Sequence, residues 1–167
     1  GTISLNGNVV LNSGDSTRTT VILNTQGGTF TGGASNGVGG NIGVTGTLTG
    51  TKTTSNILDL RYGSGTVTLG NGLPTPAADA ITLGTLITAA DDARSTGSLI
   101  INGALDLDTL TTFSQGYSVN ISGGGTIANR VTFLNTGTVR IGANGVTTTF
   151  TDGFDTLSGS GTLAPSS

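Results

Sequence analysis

An all-β fold, an irregular parallel β-helix (β-solenoid), is what this 167-residue chain predicts. Three observations point to it: apolar and small polar residues alternate in short runs, Asn-Gly and Gly-Gly pairs punctuate the runs, and apolar bulk is scarce. Only 34% of the residues are hydrophobic and 4% aromatic, so any core must be thin. The 30 glycines and 33 threonines suit tight turns and strands, because glycine reaches positive φ freely and threonine is β-branched. Strong helix formers are few, with no Glu and a single lysine, Lys52.

The elements follow in order. GTISLNGNVVL, residues 1–11, sets Ile3 with Leu5 and Val9 with Leu11 on either side of Asn6-Gly7. Turn signals at Ser13-Gly14-Asp15 and Gly27-Gly28 bracket Val21 with Leu23. Val67 with Leu69 precedes Asn71-Gly72, and Leu99 with Ile101 precedes Asn102-Gly103. Val119 with Ile121 leads into three glycines at 123–125; Val131 with Phe133 and Val139 with Ile141 then run up to Asn144-Gly145. These eight pairs are the expected core. The five Phe, at 30, 113, 133, 150 and 154, make no cluster in sequence.

Residues 72–80, GLPTPAADA, hold two of the three prolines. Proline cannot donate to a central ladder, so this is expected as an excursion loop within one domain spanning 1–167. Residues 76–94 are the single weak helix candidate; interrupted by Thr and Gly, they are expected as strand plus turn, with one helical turn at 89–93. Glycine-led strand starts near 1, 28, 46, 65, 97, 125, 137 and 161 are spaced by 12 to 32 residues. That drift excludes a solenoid of fixed period. It permits a β-helix whose coils of roughly 20 residues bury their apolar face only by stacking. The alternative is a β-sandwich subunit that donates its uncharged first strand to a neighbour, although a sandwich ordinarily carries more aromatic mass.

Nine Asp against five Arg and one Lys give a net charge of -3. Without clustered Lys or Arg there is no footprint for nucleic acid or for an anionic membrane surface, and no apolar run approaches the ~18 residues of a membrane span. With no Cys, disulfides are excluded. The chain starts at Gly1 rather than Met, which fits an exported protein whose signal has been removed.

GGGTIANRVTFLNTGTVRIGANGVTTTFTDGFDTLSGSGTL, residues 123–163, resembles the strand-rich regions of filamentous-haemagglutinin-like and related β-strand-repeat secreted bacterial adhesins. SLNGNVVLN at 4–12 and ITLGTLITAADDARSTGSLIINGALDL at 81–107 share the style. What the resemblance implies is export, an extracellular or cell-surface location, a β-helical rod, and a role in adhesion or in a surface fibre. This chain is short beside the giant adhesins, so it fits either a fragment of one or a subunit that assembles.

Catalytic triads need a His or an equivalent base, and zinc sites need His or Cys; the chain has neither. It is therefore expected to be no enzyme and to carry no cofactor. Carboxylate pairs remain at Asp91 with Asp92, Asp106 with Asp108, and Asp152 with Asp155. Asp106 and Asp108 alternate with Leu105 and Leu107, the pattern of a solvated strand edge, and Asp91 and Asp92 beside Arg94 suit a turn with a surface ion pair. Ca2+, which takes six to eight oxygens, is the one cofactor these pairs leave open, without the β-roll nonapeptide.

TGTLTGTKT, residues 45–53, sets Thr45, Thr47, Thr49, Thr51 and Thr53 opposite Gly46, Leu48, Gly50 and Lys52. Such a face resembles those of ice-binding solenoids and is a candidate binding face for ice or glycan, although threonine is also an ordinary solvent-facing strand residue. Lys52 is the sole lysine available for an isopeptide cross-link to Asn or Asp. Strand edges left uncapped at the ends of a solenoid pair with another copy. Residues 1–11 and 157–167 carry no charge to prevent this, which makes Ile3, Leu5, Val9 and Leu11 the candidate assembly strand. The expected partners are a second copy, as homo-oligomer or filament, and a glycan or cell-surface ligand, with no nucleic acid and no membrane insertion.

Overall fold

Alternating runs become strands of three to eight residues, each lying parallel to its counterpart one turn of the chain later. The structure, a computed structural model, describes residues 1–11, 20–26, 38–52, 56–72, 76–89, 95–143, 145–156 and 163–165. The first coil holds β1 (Ile3–Leu5), β2 (Val9–Leu11) and β3 (Thr20–Asn24); the second holds β4 (Ile42–Val44), β5 (Leu48–Gly50) and β6 (Ile57–Arg61). The third has β7 (Thr66–Leu69), a 3-10 turn at Pro76–Asp79, and β8 (Ile81–Thr88); the fourth has β9 (Ser98–Ile101) and β10 (Leu105–Thr111). The fifth contains β11 (Ser118–Ile121), β12 (Gly125–Ile127) and β13 (Val131–Phe133). The sixth contains β14 (Val139–Ile141), β15 (Thr148–Phe150) and β16 (Phe154–Thr156), and β17 (Leu163–Pro165) opens a seventh.

Coil stacks on coil to make three faces. The first face is the seven-stranded sheet β1, β4, β7, β9, β11, β14, β17. On the second, β2, β5, the start of β8, the start of β10, β12 and β15 pair in turn. The third begins with β3, β6 and the ends of β8 and β10, and finishes with β13 and β16. There Thr112 joins β10 to the next coil: its Oγ1 donates to the Thr132 carbonyl at 2.9 Å and accepts from Leu134 N at 2.8 Å.

A sandwich would need antiparallel sheets; every ladder between these strands is parallel, and the fold is the β-helix. Register on the first face aligns Ile3, Ile42, Val67, Leu99, Val119, Val139 and Leu163, which lie 39, 25, 32, 20, 20 and 24 residues apart. The unequal spacing in the sequence is thus a set of unequal excursions between strands that stay in register.

All eight expected pairs point inward. Those of β7, β9, β11 and β13 are buried, while Ile3, Leu5, Val9, Val21, Leu23 and Ile141 are half-buried against the core. The core is indeed thin, one layer of Val, Ile and Leu per face. Its widest members close the corner between the third and first faces, where Tyr62 and Tyr117 meet edge to face at 6.2 Å. The Tyr62 hydroxyl shares a hydrogen bond with Thr88 Oγ1 at 2.9 Å, and Tyr117 Oη accepts from Phe113 N at 2.9 Å. Gln115 spans the same corner, donating from Nε2 to the Ala89 carbonyl and accepting at Oε1 from Ser95 N, so its own buried amide is paired on both sides.

Glycine forms a second column at this corner. A Cβ on Gly40 would lie 1.7 Å from the Gly1 carbonyl oxygen, on Gly65 2.1 Å from that of Gly40, and on Gly97 1.8 Å from that of Gly65. Successive coils approach too closely here for any side chain.

Of residues 72–80, Gly72 and 76–80 lie between β7 on the first face and β8 on the second, and the rest lie outside the described residues. The helical turn sits inside this segment, at Pro76–Asp79, where an opening proline loses no needed N–H. Of the helical turn expected at 89–93, Ala89 is a buried residue with φ 61° and the remaining positions lie outside the described residues.

Candidate functional site

The ends of the stack differ from its middle. Among the described residues β1, β2 and β3 each pair on one side only, as do β15, β16 and β17. Their free edges present backbone groups as a template for another strand. The first coil, which holds the candidate assembly strand, also keeps apolar side chains near water in both directions. Ile3, Leu5, Val9, Val21 and Leu23 are half-buried inward, Leu11 reaches 9% exposure, and Val10 and Ile22 stand outward at 67% and 48%.

At the opposite end β15 and β16 each turn a phenylalanine toward the core. Phe133, Phe150 and Phe154 form a cluster with ring centroids 4.9 to 6.3 Å apart, and Phe154 is 39% exposed although its partner in register, Val131, is fully buried. These rings are 17 and 4 residues apart in sequence and meet only because Ile127 aligns with Phe150 and Val131 with Phe154.

On the second face the structure separates the threonine run. Strand β5 covers only Leu48–Gly50, so Thr49 alone of the five lies within a strand. Thr45 sits at the preceding corner, where its hydroxyl accepts from Gly7 N, Thr47 and Thr51 flank the strand, and Thr53 lies outside the described residues. The outward column through Thr49 runs Val10, Thr49, Thr82, Asp106, Thr126, Thr149. Four of its six positions are threonines in register, with Val10 at one end and Asp106 between Thr82 and Thr126.

Beside that column Lys52 Nζ reaches two coils away to Asp106 at 2.6 Å and Asp108 at 3.2 Å. All three side chains are partly solvated, at 32% for Lys52 and 54% and 37% for the aspartates. The hydrogen bond to Asp106 holds the Lys52 ammonium above the ordinary lysine range. Amide formation needs a neutral amine, so this triad does what an ion pair does and stays charged. A hydrolytic pair would sit in a groove with an arginine; here the neighbouring cation is this lysine, while Arg61 bonds Asp59 and Arg130 bonds Asp155 at 2.7 Å. Asp152 is exposed, and Asp91, Asp92 and Arg94 lie outside the described residues. Among the described residues no group of three or more His, Cys, Asp or Glu gathers to hold a metal ion, and no helix is long and apolar enough to cross a membrane.

No family model matches this chain, and no curated protein or solved structure is similar enough to count as a relative.

Proposed function

We propose that this chain is a non-enzymatic structural segment of an extracellular bacterial fibre or adhesin, and that its end coils continue the stack by pairing with further β coils. One observation carries the proposal. Residues that share a column with the fully buried Leu99 and Val119 are left half-buried in the first coil, beside strands with an unpaired edge. A parallel β coil cannot bury its own apolar side; only a neighbouring coil does so. The absence of charge from residues 1–11 leaves that edge without the lysines or inward charges that ordinarily block strand addition. The aromatic end, with Phe154 exposed and Phe150 half-buried beside it, supplies a second apolar surface for a head-to-tail, non-closing contact of the kind that builds fibres. A cell-surface location follows from that role.

Negative-stain electron microscopy over a concentration series tests this. Rods that lengthen with concentration, in a form abolished by Leu5→Lys, are the expected result. Separate short particles at every concentration, with amide exchange as slow in β1 to β3 as in β9, would sink it.

A further inference from the structure

The outward side of the first face has a hollow that the stacking role does not use. It has a volume of about 280 Å³ and spans three successive coils through Ser98 and Ile100, Ser118 and Asn120, and Thr138 and Arg140. Register makes it: Ser118 lies beside Ser98, Asn120 between Ile100 and Arg140. Hydroxyls therefore line one rim, while an isoleucine, an amide and a guanidinium follow one another along the other.

Two features distinguish this hollow from an ordinary polar sheet surface. The first is electrostatic. None of the chain's nine aspartates falls on a strand of the first face, and Arg140 is the one charged residue there. Among the described residues, Arg61 and Arg130 are each bonded to an aspartate, whereas Arg140 is exposed and makes no ion pair. The second is an unpaired acceptor. The side-chain oxygen of Asn120 is shielded from water and has no hydrogen-bond partner. A buried acceptor without a donor carries a cost, and turning the Asn120 amide outward to meet an incoming hydroxyl relieves it.

We infer that this hollow binds a carboxylated saccharide, such as a uronate-bearing glycan. The guanidinium fork matches a carboxylate bidentately, and its charge is undiluted by neighbouring acids. Asn120 and the Ser98, Ser118 and Thr138 hydroxyls offer the mixed donors and acceptors that sugar hydroxyls require. Ile100 supplies an apolar floor for the carbon face of a pyranose ring. Adjacent coils lie about 4.8 Å apart, so the three coils present an elongated site to a linear chain. A peptide strand would instead add at a sheet edge, and this hollow lies on a sheet face. The site is on the side of the stack and does not depend on end-to-end assembly.

Isothermal titration calorimetry of the full chain with oligogalacturonate, its methyl ester and poly-aspartate tests the inference. Oligogalacturonate is expected to bind, with the methyl ester at least tenfold weaker. Arg140→Ala should weaken oligogalacturonate at least tenfold, with Arg140→Lys intermediate because it keeps the charge and loses the fork, and Asn120→Ala should weaken it too. Amide shifts on titration should fall in β9, β11 and β14. Equal affinity for the ester, unchanged affinity in Arg140→Ala, or tighter binding of poly-aspartate would each overturn the assignment. Because the site lies apart from the coil ends, binding by a chain that stays monomeric in microscopy would leave this inference standing and the fibre role refuted.

Discussion

Ile3 and Leu99 occupy one inward column of the first face, yet Leu99 is fully buried and Ile3 is half-buried. Their side chains are similar and their strands have the same alternation. What separates them is the number of neighbouring coils, two for Leu99 and one for Ile3. Burial in this molecule is conferred by the next coil, so stability is expected to rise from the first coil to the fourth and fifth.

The largest effect that sharpens this contrast comes from backbone approach. Gly97→Ala places a Cβ 1.8 Å from the Gly65 carbonyl oxygen and should cost about 3 kcal/mol or more by denaturant unfolding. Gly43→Ala, in the same sheet but with nothing within 4 Å of its Cβ, should stay within about 0.5 kcal/mol. Equal losses would mean that coil spacing relaxes freely.

Next comes truncation within the shared column. Leu99→Ala should cost about 2–5 kcal/mol, and Ile3→Ala less than half of that, because its cavity opens onto solvent. If the two losses match, the first coil is covered by something beyond the chain itself, and stacking in solution is the first explanation to pursue.

A smaller effect is read in alkali. Burial pushes the Tyr117 hydroxyl up to about 12 and raises Tyr62 further still, from an ordinary value of 10.0. The fold therefore holds its tyrosine protons more tightly than the unfolded chain does. Stability should be level up to pH 10 and then fall by up to about 1.4 kcal/mol per pH unit for each tyrosine. Tyr117→Phe should flatten that slope in unfolding curves taken from pH 8 to 12; an unchanged slope would mean that the corner opens before the core does.

Much of this architecture was legible because inward and outward positions alternate with period two, so all eight pairs read from the sequence point into the core. Ile42 and Val44 escaped notice because the residue between them is Gly43 rather than a polar side chain, and Tyr62 and Tyr117 because a corner has no period to read. Coil length was hidden by excursions. The pattern of glycine, a small polar residue, then two apolar residues one apart opens the first face at 1, 40, 65, 97 and 137, but gaps of 20 to 40 residues disguise it as drift. The surface sites were the least legible. Lys52 with Asp106, Phe133 with Phe150 and Phe154, and Asn120 with Ile100 and Arg140 are distant in sequence and adjacent only through register.

Register also makes length and residue count independent. Coils of 39 and 32 residues add no more height to the stack than coils of 20, because each rises by one strand spacing of about 4.8 Å. Removing residues 99–118 would join Ser98 directly to Val119, which already stands in the position of Leu99. The rod is therefore editable in whole rungs: lineages or designers can lengthen, shorten or decorate it without renegotiating its interior.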